Sequence, residues 1–129
     1  MNRFEPPPSE VSQPFWDATR DRHLLIQWCT SCDEPVFYPR EACPRCLGTD
    51  LVWREASGRG RVYTFTVDFR APDQPVTVAL VELDEGIRMM SNIVNYTELE
   101  VGMPVSVSWE PLSDGRNLFH SSDSATFLM

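Results

Sequence analysis

Three observations predict a mainly β chain with one short helix near its start. All four cysteines fall in two Cys-x-x-Cys pairs, Cys29/Cys32 and Cys43/Cys46, with ten residues between the pairs. From residue 61 onward, short apolar runs, several with a two-residue period, are separated by turn residues. Eleven prolines against six glycines favour fixed turns and extended segments over long helices. The expected order is an arm and short helix (1–22), a metal-binding ribbon (23–57) and a five-stranded closed barrel (58–129).

Residues 1–8 are polar and proline-rich, as expected of a disordered or docking arm. Ser12 can cap a helix, and Pro14 sits in the first turn, where a missing N–H costs nothing. The helix is expected over about 13–21, with Phe15, Trp16 and Thr19 on one side. Two readings of the Phe-Trp pair stand level: it packs on the chain's own core, or it is exposed and marks a partner surface. His23–Trp28 reads as a strand entering the first cysteine pair, and Asp50–Glu55 as a strand pairing back. Ser57-Gly58-Arg59-Gly60 breaks the pattern and sets the module boundary.

Arg61–Arg70 alternates strictly, with Val62, Thr64, Thr66 and Asp68 on one face and Tyr63, Phe65, Val67 and Phe69 on the other. Val76–Leu83 is nearly all apolar and is expected to be buried on both faces. Asp84-Glu85-Gly86 is a hairpin signal, and Ile87–Val94 is the return strand. Thr97–Glu100 is a polar crossover with room for one helical turn. Val105–Trp109 and Asn117–His120 complete the set, joined by the Ser113-Asp114-Gly115 turn and followed by a polar tail. Five strands with hairpin links and one crossover match a small Greek-key barrel of OB type, whose closure removes exposed edges.

Two Cys-x-x-Cys turns bring four thiolates to one point, the coordination that a structural Zn²⁺ site requires. Iron accepts the same S₄ tetrahedron. Two disulfides would need an oxidising compartment, whereas MNRFEPPPSE has no apolar core of a secretory signal and implies a cytoplasmic setting. A thioredoxin-like pair would be single and near a βαβ pattern. The expected ligands are Cys29, Cys32, Cys43 and Cys46, holding one structural zinc with no open coordination position.

A net charge of −8 argues against duplex nucleic acid, because phosphate neutralisation supplies most non-specific affinity. All eleven basic residues are arginine, so lysine chemistry is excluded. No run approaches the roughly 20 apolar residues of a membrane span. No catalytic set emerges. His23 and His120 are the only histidines and fit satisfied strand ends; the cysteines are committed to metal; no Gly-x-Ser-x-Gly elbow occurs. Arg54, Arg59 and Arg61 around the glycine turn are candidates for phosphate contacts, against a plainer reading as a solvated charge-balancing patch. Arg40 and Arg45, inside the ribbon, are expected to balance the charge of the metal thiolates.

The order of motifs carries a resemblance. A Phe-Trp helix precedes a strand, a Cys-x-x-Cys, Phe37-Tyr38-Pro39-Arg40 and a Cys-Pro-x-Cys. Then follow Ser57-Gly58-Arg59-Gly60, Val62-Tyr63-Thr64-Phe65-Thr66, the run Val78–Gly86 and Val101-Gly102-Met103-Pro104-Val105. From about Phe15 to Phe119 this resembles the acyl-CoA-associated family that joins a rubredoxin-like zinc ribbon to an OB-fold barrel. Members of that family are small accessory subunits of thiolase-superfamily enzymes, and some accompany acyl-CoA hydratases or the side-chain aldolases of steroid degradation. The resemblance implies a non-catalytic subunit, bound as a hetero-oligomer to a thiolase-like enzyme that makes or breaks a C–C bond in an acyl-CoA. Phe15, Trp16, Phe37 and Tyr38 are the contact surface expected on that resemblance, with acyl-CoA at the shared interface and Arg54, Arg59 and Arg61 as the candidates for its CoA phosphates. The chain departs from the family at the residues after the knuckle cysteines, where Asp33 stands for the usual glycine and the second glycine is displaced to Gly48. The alternative is an OB module for single-stranded nucleic acid, with Tyr63, Phe65 and Phe69 stacking on bases.

Overall fold

The computed structural model describes residues 6–69, 73 and 75–123. Among these residues the elements are α1 (Gln13–Thr19), β1 (Leu25–Cys29), β2 (Glu34–Val36), β3 (Leu51–Glu55), β4 (Arg59–Asp68), β5 (Val76–Leu83), β6 (Arg88–Val94), β7 (Pro104–Pro111) and β8 (Asn117–Asp123). They form two compact units. Among the described residues, the first is 6–55 with 110–118, and the second is 56–69, 73 and 75–109 with 119–123. The polar tail and most of the proline loop expected at 71–75 lie outside the described residues.

In the first unit, α1 runs for seven residues, two fewer than expected. Ser12 stands at its N-cap but makes no side-chain cap. Its hydroxyl instead accepts the Ser9 N–H at 2.9 Å. The helix ends early because Arg22 takes a left-handed conformation (φ 60°). Its N–H then donates to Thr19 O at 2.9 Å, and the His23 N–H donates to Ala18 O at 3.0 Å. This is the Schellman pattern, here without a glycine. Phe15 and Trp16 are 4 % and 9 % exposed, so the own-core reading holds and the exposed-pair reading is corrected.

The hairpin between β7 and β8 holds the end of α1 and covers the Trp16 ring. The Asn117 side-chain amide donates to Thr19 O at 2.7 Å and the Asn117 N–H to Thr19 Oγ1 at 3.1 Å, satisfying the end of the helix. Buried Arg116 stacks on Trp16 at 4.8 Å, pairs with Asp114 at 2.7 Å and donates to Pro6 O at 2.7 Å. The Asp114 carboxyl is held below its ordinary value. Partial burial pushes it up, but the Arg116 N–H and guanidinium outweigh that.

The ribbon sheet has the order β2-β1-β3, all antiparallel, with Cys29 opposite Glu34 on one side and Leu51 on the other. Buried Gln27 on β1 ties the sheet to the loop entering the second knuckle. Its amide donates to Arg40 O at 2.9 Å and its carbonyl accepts the Arg40 N–H at 2.7 Å.

The second unit is a closed barrel of order β4-β5-β6-β8-β7, with β7 pairing back to β4. β6 and β8 are parallel, as the crossover requires, and the other pairs whose register is resolved are antiparallel. Residues 97–100 form no helical turn. Gly60 pairs with both Leu83 and Val105. A Cβ there would fall inside the van der Waals radius of Glu82 O, so only glycine admits the crossing.

Two sequence expectations for the barrel are corrected. β4 does not alternate strictly, because Val62 faces Val81 and Thr64 faces Leu80, leaving Tyr63 as the extra residue of a bulge. Val62 is buried before the bulge, whereas Thr64 and Thr66 are exposed after it, and Phe65 and Val67 become the half-buried positions. β5 is not buried on both faces. Thr77, Ala79, Val81 and Leu83 point inward, while Val78 and Leu80 are half-buried and Val76 is exposed. An antiparallel barrel wall has one outer face, so a run of valines and leucines there is apolar without being enclosed.

Candidate metal centre

The four thiols converge. β1 ends on Cys29, the turn to β2 carries Cys32, and the loop between β2 and β3 carries Cys43 and Cys46. Their sulfurs all lie within 4.8 Å of one another. Cys29 and Cys46 are 3.6 Å apart, as are Cys32 and Cys43. A zinc with four thiolates at about 2.3 Å places its sulfurs about 3.8 Å apart, so the cluster has the dimensions of that tetrahedron. A disulfide would need about 2.05 Å, and all four cysteines are free.

The local backbone prepares sulfur to carry charge. The Arg45 N–H donates to Cys43 Sγ at 3.4 Å and the Gly48 N–H to Cys46 Sγ at 3.4 Å. The residue after each knuckle is left-handed, with Asp33 at φ 55° and Leu47 at φ 63°. The turn geometry expected of glycine is thus kept by residues that adopt it at a cost. Asp33 has compensation, since its carboxylate accepts the Trp28 indole N–H at 2.9 Å.

The Cys43 thiol is drawn down to about 7, first by the Cys46 N–H and then by that of Arg45. Burial pushes Cys32 up to about 12, with the neighbouring thiols adding to it. Four negative charges this close need a cation among them, and binding one releases protons from the thiols. When bound, the ion acts as a structural cross-link; four protein ligands leave no position for substrate.

The other candidate residues sort by what they touch. The four aromatics expected at a partner surface are brought together as one run of ring contacts. Trp16 meets Phe15 edge-on at 5.2 Å, Phe15 meets Phe37 at 6.0 Å, and Phe37 meets Tyr38 at 4.5 Å. The run passes from buried Trp16 and Phe15 through half-buried Phe37 to Tyr38, which is 52 % exposed. Arg54 stacks over Trp28 at 4.7 Å. Arg59 lies 3.8 Å from Asp84, and Arg61 donates to Gly102 O at 3.0 Å. The Arg45 side chain pairs with Glu34 at 3.8 Å; its backbone, rather than its guanidinium, reaches the centre.

His23 pairs with Glu55 at 2.6 Å on the surface, and His120 is buried in β8. Tyr63 and Phe69 are exposed, whereas Phe65 is half-buried, so the three aromatics are not equally presented to solvent. Thr19 is buried on the helix side expected for it; sequence reasoning missed Gln27, Arg116 and Asn117, polar residues with long-range partners that no local pattern announces.

A four-thiolate ribbon and a closed five-stranded barrel define a zinc-ribbon/OB-fold protein. Comparison with known families agrees. Residues 16–52 match the model for the ChsH2 rubredoxin-like zinc ribbon domain, and residues 53–110 match the ChsH2 C-terminal OB-fold domain. The chain belongs to this ChsH2/DUF35 family, and the centre is that of a zinc ribbon whose four cysteines are placed to bind one metal ion.

A DUF35 domain-containing scaffold protein of Methanocaldococcus jannaschii is 32% identical over 108 residues, 77% of each chain. A probable enoyl-CoA hydratase alpha subunit of Thermomonospora curvata is 39% identical over 102 residues, 74% of this chain but 32% of the relative. The 3-oxo-4,17-pregnadiene-20-carboxyl-CoA hydratase alpha subunit of Mycobacterium tuberculosis is 30% identical over 118 residues, 86% of this chain and 37% of the relative. The matched region therefore spans about a third of each hydratase subunit. Among solved structures, a chain of the Ltp2-ChsH2(DUF35) aldolase superposes with a TM-score of 0.82 at 32% identity, over 93% of this chain and 99% of that one. A DUF35 protein of Sulfolobus solfataricus, at 15% identity and a TM-score of 0.65, shares the fold.

Proposed function

We propose that this chain is a non-catalytic accessory subunit that binds and completes a thiolase-like enzyme acting on acyl-CoA thioesters, with the partner making or breaking the C–C bond. The observation that carries the reading is the near full-length likeness to the chain of the Ltp2-ChsH2(DUF35) aldolase, 99% of which is covered. The relatives named as hydratase alpha subunits and as DUF35 scaffold proteins support the acyl-CoA and scaffolding parts of it. Tyr38 is the contact residue, because it is the exposed end of an aromatic run whose inner members are fixed by packing. Half-buried Phe37 sets its position. Any contact with CoA phosphates falls to Arg59 and Arg61, two residues apart on β4, rather than to Arg54, which is stacked on Trp28. In this reading the contact lies in the ribbon module, residues 23–57, and not in the barrel module that the sequence assigns to 58–129.

Co-expression with a thiolase-like enzyme tests the reading. A stable complex is expected, with turnover of an acyl-CoA only by the partner or the complex. Failure to co-purify with any such enzyme would sink the idea, as would turnover by this chain alone.

A further inference from the structure

The four thiols do not share one environment. Cys29 and Cys43 have no exposed surface, Cys32 is half-buried, and Cys46 is exposed. The flank of Cys46 is open because residue 48 is glycine; a Cβ there would stand 3.3 Å from the Cys46 sulfur. Across the centre, the sulfur in contact with Cys46 belongs to Cys29, at 3.6 Å, and the other 3.6 Å contact is Cys32 with Cys43. Both contacts run between knuckles, not within them.

We propose that Cys46 is the point at which a hydroperoxide opens the metal clasp, and that oxidation joins the two knuckles through Cys29–Cys46. The Cys46 thiolate attacks the terminal peroxide oxygen; an S–O bond forms, the O–O bond breaks, and the alkoxide or hydroxide leaves with a proton as alcohol or water. The Cys29 thiolate then attacks the Cys46 sulfur, the S–S bond forms, and hydroxide leaves as water. Two thiolates are oxidised by two electrons and one peroxide is reduced. With two of four ligands consumed, the metal is released, and Cys32 and Cys43 are left in contact to repeat the step. The inference rests on the thiol cluster alone and is independent of the partner enzyme.

The test uses the full chain loaded with zinc. After an equimolar dose of hydrogen peroxide, free thiols are trapped with iodoacetamide and the peptides are mapped by mass spectrometry, while a chromophoric chelator reads released zinc. The expected result is a Cys29–Cys46 linked peptide appearing in step with zinc release, and recovery of zinc binding after a thiol reductant. In the absence of peroxide, Cys46 is expected to be alkylated about tenfold faster than the other three, since reactivity follows exposure of the thiolate. A link within Cys29/Cys32 or within Cys43/Cys46 would overturn the proposal. So would first modification at Cys32, or a sulfinic acid at Cys46 with no link to Cys29.

Discussion

Leu47 is held at φ 63° and is 77 % exposed, so it carries left-handed strain with almost no packing in return. Replacing it with glycine removes a penalty of roughly 1–2 kcal/mol and adds some unfolded-state entropy. Leu47→Gly is expected to stabilise the metal-loaded chain by about 1 kcal/mol in denaturant unfolding. A loss of stability would show that the leucine packs on something in solution. His23 offers a second residue-scale check. The hydrogen bond to Glu55, followed by the Glu55 charge, raises its pKa above the ordinary 6.5. Because the folded value is the higher one, the contribution of the pair is complete below pH 6.5 and fades as pH climbs through the raised value. NMR titration should place His23 above 6.5 and return it toward that value in Glu55→Gln.

Among elements, α1 depends on a hairpin almost a hundred residues away. Asn117 is buried and bonds twice to Thr19, once through its side-chain amide and once through its backbone N–H. Asn117→Ala therefore removes the amide bond to Thr19 O and keeps the backbone one, while the Arg22 N–H still reaches that carbonyl. A loss of about 1 kcal/mol, that of one buried hydrogen bond, is expected by denaturant unfolding, against a negligible change for exposed Glu98. In the barrel, Gly60→Ala should cost about 2 kcal/mol or more, because the new methyl meets the Glu82 carbonyl.

Legibility varied by element for physical reasons. The cysteine spacing and the turn signals are local, and they placed the ribbon, the strands on either side of the two knuckles, the five barrel strands and the thiol ligands. The end of α1 was hidden because an arginine, not a glycine, takes the left-handed position. The bulge at Tyr63 was hidden because a bulge is defined by the partner strand, and nothing in Val62-Tyr63-Thr64 states which register β5 adopts. The burial of Phe15 and Trp16 depended on Arg116 and Phe37, which sequence order does not bring near.

At the scale of the molecule, the ion is the main cross-link of a ribbon whose own core is small. Elemental analysis should find one zinc per chain. A strong chelator is expected to abolish amide dispersion for residues 25–55 while the barrel strands keep theirs, since metal-binding energy is folding energy for such a module. Zinc affinity should fall as pH drops, and more steeply below about 7, where the Cys43 thiol is protonated as well. Simultaneous loss of both sets of signals would mean that the barrel does not hold without the ion.

The hairpin tip at 110–118 has a practical consequence for anyone cutting this protein. A fragment stopping after the ribbon would strip Trp16 of its guanidinium lid and Thr19 of its amide, and a fragment starting at the barrel would carry Arg116 with no ring to cover. Neither half is a contiguous length of chain, so a nick near residue 56 should leave two peptides still clasped through gel filtration. Shuffling the modules by simple end-to-end fusion would separate a helix from its seat.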